Sequence, residues 1–305
     1  MADIRLFRTS SHGVSELDSQ SVAVEKSLQT FIEAHLEALL GVRFLQSEYT
    51  TGKRHGGRID TLGIDENGCP VIVEYKRAMN ENVVNQGLFY LDWLMDHKGD
   101  FQVLVMDRLG ADVAQTIEWS GPRLLCIAGD FTKYDEHAVQ QINRNIELIR
   151  YRRYGDELLL LELVNAASGP PEEHSSSLVA SPAPRREDPT FTDLLGKCST
   201  ELNDRFEALQ AFTMALGDDV QMKTLKYYVA FKRIRNFVCA EVHPQIGTLV
   251  LWLKIDPDQV ELESGFTRDM REIGHYGTGD LEITIRTDQD FEKAQPLILQ
   301  SYEGV

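Results

Sequence analysis

Apolar and polar positions alternate with two different periods along this chain, and a patternless stretch separates them into two halves. Between Val22 and Leu40, apolar side chains recur at Leu28, Ile32, Leu36 and Leu39, the spacing of one helix face, and Glu25 lies on that stripe one turn earlier. Residues 58–64 and 70–76 are short apolar-rich runs on either side of Asp65-Glu66-Asn67-Gly68-Cys69. Asn-Gly between such runs predicts a hairpin. A helix with Val84, Leu88, Leu91 and Met95 on its apolar face follows. Phe101–Met106 and Leu124–Ala128 read as buried strands around a short helix that includes Ala111–Trp119. Ile146–Tyr154 and Glu157–Val164, joined at Gly155-Asp156, read as a second hairpin. The expectation for residues 1–165 is an α/β domain, a mixed sheet with flanking helices.

Residues 165–190 hold five of the ten prolines together with Ser175-Ser176-Ser177 and mixed charge, a composition that cannot bury a core. A linker is expected over 166–190. Beyond it, a helical pattern runs through Leu216, and strands are expected at Tyr227–Lys232, Phe237–Val242, Thr248–Ile255 and Leu281–Arg286 before a last helix. Residues 191–305 are therefore expected to form a second, smaller α+β domain.

The first hairpin carries the candidate chemistry. Side chains alternate faces, so the loop length decides whether Asp60 and Glu74 meet. A three-residue loop, Glu66 to Gly68 with Gly68 left-handed, pairs residue 65 with 69, puts Asp60 opposite Glu74 and leaves Lys76 on their face. A two-residue Asn-Gly turn pairs Asp60 with Tyr75 instead, so the functional reading requires the three-residue loop. Glu-x-Lys alone arises about once by chance in a chain of this length, and a solvated surface hairpin is its alternative reading. Asp60 at the matching position, and a following helix with Gln86 and Tyr90 one turn apart, give it weight. Two carboxylates and the Tyr75 carbonyl are hard oxygen donors suited to Mg²⁺ or Mn²⁺, and Lys76 is a compact charge able to position a water or offset charge on a phosphate. A carboxylate aimed inward at Glu25 makes it a further candidate; an ordinary first-turn acid behind a Ser21 cap is the alternative. Gln86 and Tyr90 have the alternative of a polar-aromatic pair on an amphipathic helix.

The run GGRIDTLGIDENGCPVIVEYKR, followed by NQGLFYLDWL, resembles the PD-(D/E)XK nuclease superfamily and, within it, the NucS-type endonucleases. The resemblance covers roughly residues 20–165 and is strongest over 56–94. It implies a restriction-endonuclease-like fold, Asp60 and Glu74 as metal ligands, Lys76 as the catalytic lysine, Gln86 and Tyr90 lining the site, and Glu25 reaching the metal from the first helix. The order of domains departs from the NucS type, whose nuclease domain follows an amino-terminal dimerisation domain. That departure detaches the NucS substrate preference from the shared chemistry. The segment 191–305 resembles a small uncharacterised domain appended to nuclease-like proteins.

Charge argues in the other direction. The chain has 31 Lys and Arg against 48 Asp and Glu, a formal net charge of −17, and neither half is basic. Phosphate contacts normally call for an excess of positive charge. Exposed charges are screened beyond about 8 Å at physiological salt, so local placement counts. Lys53, Arg54, His55, Arg58, Lys76 and Arg77 cluster on or beside the hairpin, with Gly52, Gly56 and Gly57 allowing close backbone approach. Lys53, Arg54, Arg58 and Arg77 are thus the expected nucleic-acid contacts, with a solvated loop as the alternative. Arg150, Arg152 and Arg153 either touch a duplex or solvate a sheet edge. In the second half, Lys223, Lys226, Lys232, Arg233 and Arg235 interleave with Tyr227, Tyr228 and Phe231, a mixture that stacks bases or, more often, forms core. Gly274–Asp280 is a glycine-rich turn without phosphate-loop spacing, and no nucleotide is assigned to it.

No apolar run approaches the length of a membrane span, and the first residues lack a secretory pattern. Cys69, Cys126, Cys198 and Cys239 show neither paired nor zinc-type spacing, so a reducing cytoplasm is expected. The functional expectation is a metal-dependent endonuclease hydrolysing phosphodiester bonds, with structured or mismatched DNA favoured as substrate. Its alternatives are a non-catalytic nucleic-acid- or protein-binding module on a nuclease scaffold, and a defence or restriction effector whose second domain senses a signal. A homodimer and a protein partner for 191–305 stay open.

Overall fold

The computed structural model describes residues 4–11, 13–20, 25–52, 56–76, 83–155, 157–167 and 189–305. Two compact units emerge: residues 1–64, 70–117 and 122–169 form the first, and residues 65–69, 118–121 and 170–305 the second.

In the first unit, β1 (Leu6–Ser10) and β2 (Gly13–Leu17) form an exposed antiparallel pair, and β3 (Ser19–Gln20) follows. The expected first helix is two: α1 (Glu25–Ala34) and α2 (Leu36–Leu40), which bury Leu28, Ile32 and Leu36. Next come β4 (Val42–Thr50), β5 (Arg58–Asp65), β6 (Pro70–Lys76) and α3 (Val83–Asp96). Residues 101–106, expected as a strand, lie instead in α4 (Lys98–Leu109). Phe101 and Val105, four residues apart, are its buried positions, while Val103 and Met106 are more than half exposed. The apolar run was therefore a helix with one buried stripe, which a six-residue window cannot distinguish from a strand.

The chain continues through α5 (Ala111–Gln115), β7 (Arg123–Ala128), α6 (Lys133–Gln140), β8 (Asn145–Tyr154) and β9 (Leu158–Ala167). The last strand runs past the expected boundary at residue 165. The seven strands β3 to β9 form one sheet in the order β3-β8-β7-β6-β5-β4, with β9 also paired to β8. β6, β7 and β8 are parallel neighbours, whereas β5–β6 and β8–β9 are antiparallel. Every residue of β7 is buried, as a central parallel strand covered on both faces requires. The sheet is mixed and flanked by helices, with the Asp60 hairpin at its β5–β6 position.

The second unit contains α7 (Phe191–Leu195), α8 (Thr200–Met214), β10 (Gln221–Thr224), β11 (Val229–Lys232), β12 (Asn236–His243), β13 (Thr248–Leu253), β14 (Thr267–Asp269), β15 (Leu281–Ile285) and α9 (Asp288–Glu303). Its six strands form an antiparallel sheet in the order β10-β11-β12-β13-β15-β14. One face, including Val238, Leu251 and Ile283, packs against Phe206 and Leu209 of α8 and Ile298 of α9. Among the described residues no helix is long and apolar enough to cross a membrane.

Candidate active site

The β5–β6 hairpin has the register that a three-residue loop imposes. Its ladder runs from Ile64↔Pro70 to Thr61↔Val73, which places Asp60 across from Glu74. The turn is closed by the Asp65 amide donating to the Cys69 carbonyl at 2.8 Å, with the Asp65 side chain accepting from the amides of Asn67 and Cys69. Gly68 has φ 77°, the left-handed conformation that glycine adopts without strain.

Just beyond the ladder, side chains take over from backbone carbonyls. The Asp60 amide donates to Glu74 Oε1 at 3.1 Å, and the Tyr75 amide donates to Asp60 Oδ2 at 3.0 Å. Each acid thus binds an amide of the opposite strand where the two strands open. Glu74 is fully buried, Asp60 partly so, and Lys76 sits partly exposed at the end of β6. Burial pushes the Asp60 carboxyl above the usual carboxylate range, and the nearby Glu48 charge adds to that push. The Tyr75 amide and the charges of Lys76 and Arg58 oppose it.

This shift has a measurable sign. A carboxyl with a raised folded-state pKa binds more protons folded than unfolded, so its contribution to stability falls as pH rises from the ordinary Asp value through the raised one, and stays lost above it. Asp60→Asn removes that loss while keeping an oxygen for the Tyr75 amide. The variant is expected to raise the melting temperature at pH 7 and to have a smaller effect at pH 4. Thermal unfolding of the metal-free protein at both pH values checks this, and an equal shift at both would contradict it.

Gln86 and Tyr90, on α3, meet the hairpin at this same open end. Gln86 Nε2 donates to Tyr90 Oη at 3.2 Å, and the same oxygen accepts from the Arg58 amide at 3.2 Å. A Cβ on Gly57 would lie 2.5 Å from the Tyr90 ring, so glycine there is what lets the loop strand pass the helix. Helix and hairpin are joined one residue from the Ile59-Asp60 pair.

Three residues around Asp60 escaped sequence reasoning. Gln29 of α1 is buried, and its amide donates to the Asp60 carbonyl at 2.9 Å and to Glu33 Oε1 at 3.0 Å. Glu33 in turn accepts from the Thr61 hydroxyl at 2.6 Å. Gln29 stands one turn after Glu25 on the Leu28–Ile32 side of the helix, a polar residue beside an apolar stripe, and that was the available signal. Glu48 has φ 53°, the one positive φ outside glycine among the described residues. It binds Lys26 at 2.6 Å and Arg58, and the Lys26 bond, helped by both positive charges, holds its carboxyl below the usual range. Strained backbone of this kind clusters at functional sites, but nothing in the sequence marked it.

The remaining expected residues divide. Arg58 is exposed but engaged by Glu48. Lys53, Arg54, His55, Arg77 and Ser21 lie outside the described residues; Glu25 opens α1, but its side chain is outside them too. Arg150 is 2% exposed and paired with Asp130 and Glu162, so it is a core cation and not a duplex contact. In the second unit Phe231, Lys232 and Tyr228 are buried, and Arg233 is bound to Asp219. Tyr228, Phe231 and Lys232 are therefore core, while Lys223, Lys226, Tyr227, Arg233 and Arg235 are half-buried. The four cysteines are free thiols; burial pushes Cys69 up to about 12 and Cys239 up to about 11.

The donor set suits a hard divalent cation: two carboxylates on residues that stand across from each other on the hairpin. The raised Asp60 pKa is the electrostatic deficit that a cation offsets. Among the described residues no group of three or more His, Cys, Asp and Glu is arranged to hold a metal, so an ion there would complete its shell with water or phosphate oxygens.

Residues 192–304 match a domain of unknown function, DUF5655. A protein of Haemophilus influenzae described as uncharacterized is 27% identical over 309 residues, an alignment covering 98% of this chain and 99% of that one. No solved structure matches the chain.

Proposed function

We propose that this chain is a metal-dependent nuclease of the restriction-endonuclease-like type, hydrolysing phosphodiester bonds in nucleic acid, with structured or mismatched DNA as the favoured substrate. The observation that carries this reading is the β5–β6 register, which sets Asp60 against Glu74 with Lys76 on the same face. Asp60, Glu74 and the Tyr75 carbonyl are the groups that would hold Mg²⁺ or Mn²⁺. Such an ion supplies Lewis acidity and a more acidic bound water. Lys76, whose charge already acts on Asp60, places a cation where negative charge accumulates on a phosphate under attack. Glu74 and Asp60 hold each other's strands in place through the crossed amide bonds, and Gln29 fixes the Asp60 backbone from α1. Gln86 and Tyr90 fix the loop strand on the other side.

The test is cleavage of labelled single-stranded, duplex, mismatched and forked DNA in Mg²⁺ or Mn²⁺ against EDTA. Lys76→Ala is expected to lower the metal-dependent rate by about 10²-fold or more while DNA binding is retained, as for loss of a group that stabilises transition-state charge. Cutting that persists in EDTA, or is unchanged in Lys76→Ala, overturns the assignment.

A second reading, a binding module on a nuclease scaffold, draws on the net charge of −17 and on the lack of a three-residue metal cluster among the described residues. Under that reading the wild type binds DNA or a protein partner and cuts nothing on any of these substrates.

A further inference from the structure

The sheet of the second unit has two unlike faces. The face turned away from α8 and α9 carries polar and titratable side chains in register: Cys239, Trp252, Glu282 and Arg268 form one row across four strands; Glu241, Val250 and Thr284 a second; His243 and Thr248 a third. The turn from Met270 to Asp280, closed by the Met270 amide on the Asp280 carbonyl at 2.8 Å, borders this face. It brings His275 to Trp252 at 5.1 Å between ring centroids in an edge-on arrangement. A cavity of about 650 Å³ opens between turn and sheet, within the range of small-molecule sites.

Among the described residues, three buried polar atoms of residues that line this cavity have no hydrogen-bond partner: the Trp252 indole N–H, the Thr248 hydroxyl and Glu241 Oε1, while the other Glu241 oxygen meets His243 Nε2 at 3.3 Å. Trp252 and Thr248 are 4% and 2% exposed. Native proteins rarely leave such groups unsatisfied, because burial strips them of water without a replacement bond. Trp252 offers a donor and Glu241 an acceptor, diagonal neighbours on adjacent strands. They call for a ligand edge that carries a donor beside an acceptor. His275 Nε2 faces the Gly279 carbonyl at 2.9 Å, and that carbonyl can only accept, so the proton lies on Nε2 and Nδ1 keeps its lone pair. Burial lowers the pKa of this imidazole, which favours its neutral form.

The far side of the cavity is cationic. Arg268 is bound through one nitrogen to Glu282, and Arg286 donates one N–H to the Gly265 carbonyl, so each planar fork retains further donors. Arg286 follows β15, two strands across from Glu241 and two residues beyond its row partner Thr284, a separation of roughly 12 Å at ordinary strand spacing and rise.

We infer that this cavity binds a nucleotide, its base edge hydrogen-bonded to Glu241 and Trp252 beside the His275 ring, and its phosphate held by Arg268 and Arg286. The glycine-rich turn contributes a wall and an imidazole, not a phosphate cradle. A free nucleotide and an unpaired nucleotide within a strand present the same chemistry. The site lies wholly within the second unit and does not depend on the chemistry proposed for the β5–β6 hairpin.

Calorimetric titration of the full chain in EDTA, where metal-dependent cleavage is silent, tests it. The probes are adenosine and cytidine 5′-monophosphates, a ten-residue single-stranded DNA, and three partial ligands: cytidine, ribose 5-phosphate and inorganic phosphate. The monophosphates or the oligonucleotide are expected to bind at least about tenfold more tightly than any partial ligand. Glu241→Gln and the exposed Arg286→Ala are each expected to weaken that binding about tenfold, the loss typical of one charge-assisted hydrogen bond, with circular dichroism unchanged. Preference for the monophosphates marks a free nucleotide as the source; preference for the oligonucleotide marks a strand. The inference is overturned if wild-type protein binds none of the full ligands at millimolar concentration, if ribose 5-phosphate or inorganic phosphate binds as tightly as the nucleotides, or if both folded variants bind like wild type.

Discussion

Glu74→Gln is expected to abolish metal-dependent cleavage, by about 10²-fold at least, while the protein stays folded. Glutamine has the shape of glutamate and keeps an oxygen for the Asp60 amide, the contact made by Glu74 Oε1. What it lacks is the charge that a hard cation needs from a fully buried ligand. The experiment pairs single-turnover cleavage with a Mn²⁺ titration and a thermal melt. The expected pattern is lost cleavage, weakened Mn²⁺ binding and a retained cooperative melt. A folded variant that cuts like wild type would remove Glu74 from the chemistry, and with it the reading of the hairpin as an active site.

Arg123→Met is expected to give the largest loss of stability, about 3–5 kcal/mol. Arg123 on β7 and Glu147 on β8 form a bidentate pair at 2.8 and 2.9 Å, and both side chains are only 3% exposed. Removing the cation strands a carboxylate between two buried parallel strands. Replacing both partners, as in Arg123→Met with Glu147→Leu, is expected to recover most of the loss, because a buried ion pair contributes little against an apolar pair of similar volume. Urea unfolding of the two variants separates these outcomes. A single-variant loss below about 1 kcal/mol would mean that water or rearrangement reaches Glu147.

The parts of the fold written in local chemistry were the legible ones. Asn67-Gly68 between apolar runs announced the β5–β6 hairpin but left two loop lengths open; the odd loop was required only by the functional reading, and the observed register has it. Gly155-Asp156 likewise announced the β8–β9 hairpin. The failures come from packing and tertiary contact. Phe101–Met106 contains five apolar residues, and only their packing shows that Phe101 and Val105 alone are buried. β4 hid because its burial does not alternate: Val42 and Leu45 are buried, Phe44 is exposed, and Glu48 takes a left-handed backbone within the strand. Gln29 reaches the Asp60 carbonyl and Glu33 the Thr61 hydroxyl through tertiary contacts between α1 and the hairpin that no spacing rule encodes. The second-unit cavity was invisible for a different reason. Its members come from β12, β13, β14, β15 and the turn before β15, and they become neighbours only through the order of strands in the sheet.

That sheet assigns odd and even positions of β12 to separate tasks, with Val238, Ala240 and Val242 in the helix-covered core and Glu241 and His243 in the cavity. Substitutions on the cavity side leave the packed side untouched. Descendants of one ancestral chain can therefore trade one ligand for another at this face while inheriting the same architecture, so sequence divergence among relatives should concentrate on alternate residues of these strands.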